Sequence, residues 1–454
     1  MAPCERGGGY AERILIEPCS TDARTMHVKV ARAWYVVGIL TLIYAISFVD
    51  RFILALLAEP VGRELQLGDG QMGILLGAGF AIVYALAGLP AAQLIDQRER
   101  RKIVTLGVSL WSAGTVISAF ADGFAMLATC RASVALGEAV LTPAAISLIA
   151  DLFPAHKRAL PMSVYASMSG LMTIGSFVIG GATLGIATSL EAQIGLSPWR
   201  GTLLIVGFPG LLLALLFFLT VREPLRSGGP ATIEDTAFSA FLRYLSAKWR
   251  FYLPFYLGSA LLVMYAYANL AWLPTLLVRA HGADPATAGY LIGLTLPAAM
   301  FGIFFFPWLS TRLDRAGEGT GIVKAFLIAS IAGAPFLILA PLAGTTTTLL
   351  LGVSGGMICL ATTGSLGPLA MQAFGPSRMR ARLMALSLLC TSMLGFAIGP
   401  TAVGLLSTQW QGDPMSLGRG LSVLGMVAGP GAILCFALAL RGTRQMLTAN
   451  NAIG

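Results

Sequence analysis

Arg131 and Glu138 lie in one long apolar run, RASVALGEAVLTPAAISLIADLFPAHKR at residues 131–158, and their types and spacing could do chemistry. Seven residues are very nearly two helical turns, so the two side chains fall about 20° apart around a helix axis and roughly 10 Å apart along it. Both look at the same partner surface. Charges at such depth cost several kcal/mol in hydrocarbon, so they normally point into a bundle interior or a wet cavity and mark an ion or substrate path. The chemistry open to them is reversible protonation. Desolvation favours a neutral Glu138 and a nearby arginine favours the ionised one, so a movement that changes their separation changes proton affinity. Unequal affinity in two access states is the physical requirement for coupling. The alternative is a buried pair that only locks helices together.

Asp50 and Arg51 sit in the later part of another apolar segment, 33–57. If that segment starts from the face of the N-terminus, Asp50 lies about 25 Å in, and Arg131, on a segment running the other way from Phe124, lies about 10 Å down. In a core of about 30 Å these heights agree within a turn or so. An Asp50–Arg131 pair is therefore predicted, with Glu138 nearer the midplane. Arg51 is about 100° round the helix from Asp50, placed either to snorkel toward the outer interface or to serve a gate. Pro143 offers no N–H to the Ala139 carbonyl; it either opens the helix just past Glu138 or kinks it for packing.

The elements that position these groups must be spanning helices. Of 454 residues, 56% are hydrophobic and 11% charged, with a mean hydropathy of +0.79, against about 25% charged in soluble domains. Apolar runs long enough to cross a bilayer recur. Read in order they give spans at 33–57, 71–95, 103–121, 124–152, 160–187 and 199–221, then 250–280, 285–311, 320–342, 346–374, 377–407 and 416–441. The fold class expected is an all-α membrane protein with twelve transmembrane helices in two six-helix halves. A cytoplasmic tail at 1–32 precedes the first bundle at 33–221; a cytoplasmic linker at 222–249 leads to the second at 250–441, and a cytoplasmic tail closes the chain at 442–454. The first tail has no apolar stretch followed by a small-residue cleavage site and is read as a tail, not a signal peptide. The linker opens with Gly and Pro and continues as an amphipathic surface helix. Internal duplication of this kind is a common plan for transporters. The halves echo each other in FPAHKRALPM at 153–162 and FGPSRMRARLMA at 374–385, each joining a fourth span to a fifth.

The net charge of +9 is decided by where the basic residues lie. On this topology twenty-four Lys and Arg share the side of both termini, four lie opposite (Arg63, Arg200, Arg279 and Arg419) and two lie inside spans. That alternation is the positive-inside pattern, and no basic patch interleaved with aromatics occurs, so both termini are expected in the cytoplasm and nucleic acid is not implied. The six cysteines show no CxxC spacing and the three histidines fall in tails or loops. Neither a metal cluster nor a His-based triad can be assembled, so no enzyme, cofactor or metal is expected.

AQLIDQRERRK at 92–102 resembles the loop between spans two and three of the major facilitator superfamily, Gly-x-x-x-Asp-Arg-x-Gly-Arg-Arg/Lys: Asp96, Arg100 and Arg101 match, and Ala92, Gln97 and Glu99 depart. Within the superfamily, VDRFILALLAEPVGREL at 49–65, DGQMGILLGAGFAIVYALAGLPA at 69–91 and the run at 131–158 look most like the Spinster-like branch. The resemblance covers residues 33–441. It implies the twelve-helix major facilitator fold, alternating access and proton-coupled movement of an amphipathic, often lipid-like or organic-anion substrate, with Asp50, Arg131 and Glu138 carried over as coupling residues. PWLSTRLDRAGEG at 307–319 has Thr311 where the repeated loop motif would put Asp.

DQRERRK at 96–102 either only sets orientation or forms a cytoplasmic latch against the neighbouring half, built on Asp96, Arg100 and Arg101 with Asp151 and Arg158. The later half has no ionisable residue in the middle of a span. Tyr265, Tyr267, Asn269 and Trp272 on the seventh span, with Thr362 and Thr363 on the tenth, suit an amphipathic substrate's hydroxyls and apolar body, with Arg131 for an anionic group; packing is the alternative for each. The function expected is a proton-coupled secondary transporter of the cytoplasmic membrane. It would act as a monomer whose partners are protons, a small-molecule substrate and the lipid bilayer. The rivals are an organic-anion symporter of the sugar-acid type, with Arg131 on the substrate carboxylate, and a membrane sensor that binds ligand without transport.

Overall fold

The computed structural model describes residues 20–224, 238–314, 319–376 and 379–451, which are helical with no strand among them. In chain order the spans are Ser20–Leu56; Asp69–Leu76 with Ala78–Gln97; Arg100–Ser118; Phe124–Glu138 with Leu141–Leu152; Ala159–Ile194; and Pro198–Thr220. A short helix, Phe238–Ala247, precedes the second set: Trp249–His281; Pro285–Gly293 with Leu296–Leu313; Gly321–Leu339; Thr346–Phe374; Arg380–Cys390 continued by a π-helical stretch Thr391–Ile398 and by Gly399–Ser407; and Ser416–Asn451. These are spans 1 to 12 below. The first half of the linker, 225–237, lies outside the described residues.

Eleven of these helices are long and apolar enough to cross a bilayer. The remaining one, span 3, opens with Arg100, Arg101 and Lys102 and carries five Ser and Thr. It packs between spans 4 and 6, and buried hydroxyls such as Thr115 and Ser118 donate to carbonyls one turn back in their own helix, which satisfies them without a partner helix. Large apolar side chains such as Leu106, Leu219 and Phe304 are exposed on the outside of the bundle, as expected where lipid replaces water.

The helix breaks have local causes. Span 4 is interrupted at Ala139 and Val140, directly after Glu138, where Pro143 cannot donate to the Ala139 carbonyl. Span 2 breaks at Gly77, and Thr401 of span 11 fills the break: its hydroxyl donates to the Gly73 carbonyl (3.1 Å) and accepts from the Ala78 N–H (3.2 Å). This seam joins the two halves. A Cβ at Gly73 would come within 2.9 Å of the Pro400 carbonyl, and one at Gly181 of span 5 within 2.6 Å of the Ala286 carbonyl of span 8, so only glycine permits these approaches. Both contacts lie toward the face opposite the termini. On the other side of the seam, spans 5, 7, 8 and 10 enclose a cavity of about 580 Å³. The halves are therefore closed on the far face and parted toward the face that carries the termini.

Candidate functional site

The charged cluster forms where spans 1 and 4 cross, but with a different pairing from the one predicted. Arg51 turns inward and binds the Glu138 carboxylate, its Nε donating at 3.0 Å. Its guanidinium also lies over the rings of Phe48, Phe80 and Tyr84 at 5.2, 5.3 and 5.4 Å. Arg51 thus neither snorkels nor stands free. The expected Asp50–Arg131 side-chain pair does not form. Arg131 donates to the main-chain carbonyls of Asp50 (3.4 Å) and Arg51 (3.2 Å), its Nε has no partner, and it makes no ion pair with a described residue. Residue counting gave the heights correctly, but the azimuth of span 1 sends the residue after Asp50 to the carboxylate of span 4. Asp50 is 1% exposed; its carboxyl faces the Trp111 indole N–H and the Thr115 hydroxyl, with neither donor closing to full hydrogen-bond geometry.

The substrate contacts expected on spans 7 and 10 separate into two sets. Tyr267 and Thr363 line the large cavity. Tyr265, Asn269, Trp272 and Thr362 are turned away from it and buried. The Tyr265 hydroxyl donates to the Leu337 carbonyl of span 9 at 2.8 Å, and the Trp272 indole N–H to the Pro400 carbonyl of span 11 at 2.8 Å. The Thr362 hydroxyl donates to its own helix at Cys359. Asn269 lies beside Tyr265 in a crevice of the second half. The reason is helical phase: residues 265, 269 and 272 share one face, and it is the face that packs within the half.

At the termini face Arg100 is 1% exposed and forms ion pairs with Asp151 (2.5 Å) and Glu223 (2.7 Å). The Arg101 main-chain N–H donates to the Glu223 carboxylate at 2.9 Å and its guanidinium stacks over Phe218, while Arg158 donates to the Phe153 carbonyl. Asp96 is exposed at the end of span 2. Asp151, Glu223, Phe218 and Phe153 all belong to the first half, so Arg100, Arg101 and Arg158 clamp the ends of spans 3, 4 and 6 to one another.

The latch across the halves is on the far face, where sequence reasoning had counted arginines without assigning them a role. Arg279 at the end of span 7 binds Glu59 (2.5 Å) and Asp69 (2.8 Å), which flank the loop between spans 1 and 2, and Ser407 of span 11 donates to Asp69 at 3.0 Å. Two carboxylates and one arginine at far-face helix ends were the available signal. Removing the cation leaves Glu59 and Asp69 facing each other. Arg279→Gln should therefore shift the population toward the far-face-open arrangement about tenfold, or about 1.4 kcal/mol. Spin labels at Glu191→Cys and Gly344→Cys would report a longer distance in the variant; an unchanged distribution would mean the latch does not hold the seam.

A model of the Major Facilitator Superfamily matches residues 40–400. An MFS-type efflux pump of Mycolicibacterium smegmatis (strain ATCC 700084 / mc(2)155) is 29% identical over 90% of this chain and 92% of its own. A probable L-galactonate transporter of Escherichia coli (strain K12) is 26% identical over 70% of this chain and 71% of its own. A crystal structure of a bacterial homolog to the human lysosomal transporter Spinster, in an inward-facing and unoccupied conformation, superposes with a TM-score of 0.80 at 26% identity, covering 92% of this chain and 98% of that one. With a domain match over most of its length and the two-bundle architecture in place, the chain belongs to the Major Facilitator Superfamily of membrane transporters.

Proposed function

We propose that the protein is a proton-coupled transporter of an amphipathic anion, whose apolar body occupies the cavity between spans 5, 7, 8 and 10 and whose charged head is received by Arg131. The observation that carries this reading is the guanidinium itself, 5% exposed, lining a pocket and held by two main-chain carbonyls with no carboxylate at ion-pair distance among the described residues. A buried cation left unpaired is costly, and a substrate anion would offset that cost. Asp50 supplies the proton site. Ionising a buried carboxyl that has no ion pair and only loosely placed donors is expensive, whereas the neutral acid can sit there. An ionised Asp50 would also compete with the substrate for Arg131, whose Nη1 already reaches the Asp50 carbonyl. Proton and anion therefore favour the same access state, which couples their movements. The Arg51–Glu138 pair beside them holds spans 1 and 4 in register.

The body of the cavity is apolar, and its hydroxyls at Ser167, Ser169, Thr173 and Thr363 donate to their own helices. Phe304, 74% exposed, adds a large apolar face to the lining, which suits a lipid-like body. The relatives' names include a galactonate carrier, and a sugar acid would also satisfy Arg131; a polyol body against this lining would leave hydroxyls unpaired. The deciding experiment titrates protein in nanodiscs with oleoyl lysophosphatidylglycerol, monooleoylglycerol and galactonate. The lysolipid should raise the melting temperature most, by mass action, and Arg131→Gln should remove its advantage over the neutral lipid. Protection by galactonate alone would replace the amphipath with a sugar acid, and binding without uptake in vesicles would make the protein a sensor.

The charge asymmetry supports placing the termini in the cytoplasm and the protein in the cytoplasmic membrane. A reporter active only outside the cytoplasm, fused after Gly454, should be silent.

A further inference from the structure

Three aromatic rings from three spans form a layer across the path between the large cavity and Arg131. Phe52 of span 1 stacks on Tyr267 of span 7 with centroids 6.2 Å apart, and Phe396 of span 11 meets Tyr267 edge-on. Tyr267 lines both compartments: the 580 Å³ cavity on the termini side, and a pocket of about 30 Å³ on the far side that also holds Arg51, Arg131, Phe52 and Phe396. The smaller volume holds one or two waters and cannot hold a phosphate or carboxylate group. As the rings stand, an anion in the cavity has no way to its cation.

Of the three rings, Phe396 is the one on irregular backbone. It sits within the π-helical stretch Thr391–Ile398, and such stretches are rare and concentrate at functional sites. Gly395 and Gly399 bracket it and press against Val263 and Met264 of span 7, so span 11 approaches span 7 closely enough for the rings to touch. Converting one π turn to α geometry removes the extra residue from the turn and rotates the side chains beyond it by about 100°. That motion swings the ring of Phe396 away from Tyr267 without moving span 7.

We propose that Phe396 is a door between the apolar cavity and the Arg131 pocket, which opens by relaxation of the π-helical stretch and admits an anionic head while the apolar body stays in the cavity. The proposal rests on the reading that the substrate is an amphipathic anion bound by Arg131. It assigns Phe396 a role in selecting for the head group, distinct from holding the helices together.

The test measures a ratio: the affinity for oleoyl lysophosphatidylglycerol divided by that for monooleoylglycerol, which has the same chain and no charge, on protein in nanodiscs. Wild type should prefer the anion by about tenfold or more, or about 1.4 kcal/mol, and Arg131→Gln should bring the ratio near one. Phe396→Trp, which jams the door, should also bring it near one while the affinity for the neutral lipid stays within about twofold. Phe396→Leu should keep or raise the ratio and speed association of the anion. Ligand-free melting temperatures of both variants report whether each has folded, and either one alone suffices for the comparison. If the ratio depends on Arg131 but not on the size of residue 396, the door is wrong and the substrate reading stands. If wild type shows no preference at all, both fall together.

Discussion

Arg51→Gln should lower stability by about 3 to 5 kcal/mol and all but abolish transport, because it strands the Glu138 carboxylate in a buried site with its salt-bridge partner gone. Glu138 is 3% exposed, and Arg51 supplies the hydrogen bonds to its Oε2. The guanidinium also packs against three rings, so the truncated side chain loses those contacts as well. Glu138→Gln alone should be destabilising for the mirror reason, an arginine left without its anion. The double substitution Arg51→Gln with Glu138→Gln removes both charges and should recover most of the lost melting temperature, while transport stays low because spans 1 and 4 no longer have a charged register. Thermal unfolding of the three variants in nanodiscs checks this. A double variant no more stable than either single one would show that the two residues do not act as a pair.

This pair shows what could and could not be read from the chain. Hydropathy gives the spans because a bilayer demands about twenty apolar residues per helix, and counting along two opposed helices put Asp50 and Arg131 at similar depths with Glu138 nearer the midplane. Depth is a one-dimensional quantity. Which of two adjacent residues faces span 4 depends on how span 1 is rotated, and that is set by the packing of Phe48, Phe52 and their neighbours. The same gap explains span 7, which is apolar or aromatic on all sides; nothing in its composition distinguishes the face of Tyr267 from the face of Tyr265, Asn269 and Trp272. The helix opening after Glu138 was legible because proline acts locally. The Arg279 latch was not, because loop charges were read for their number and not for the partners that folding brings to them.

Asp50→Asn should leave the fold nearly unchanged and uncouple transport. The carboxyl forms no ion pair with a described residue and only loose contacts with the Trp111 and Thr115 donors it faces, so an amide of the same size, whose oxygen can face the same donors, should change stability by no more than about 1 kcal/mol. The amide cannot exchange a proton. Arg131 keeps its two carbonyl contacts and remains available to an anion, so the variant should still bind and exchange substrate but should no longer move it against a gradient. This separates Asp50 from Glu138, whose loss should lower stability and exchange together. The measurement that bears most directly on the account is proton movement during transport of oleoyl lysophosphatidylglycerol into proteoliposomes that contain a pH indicator, since that phosphodiester does not itself titrate near neutrality. Wild type should carry protons with the lysolipid, and Asp50→Asn should exchange the lysolipid with no proton signal. Lysolipid movement without protons in wild type, or an undiminished proton signal in Asp50→Asn, would contradict the account.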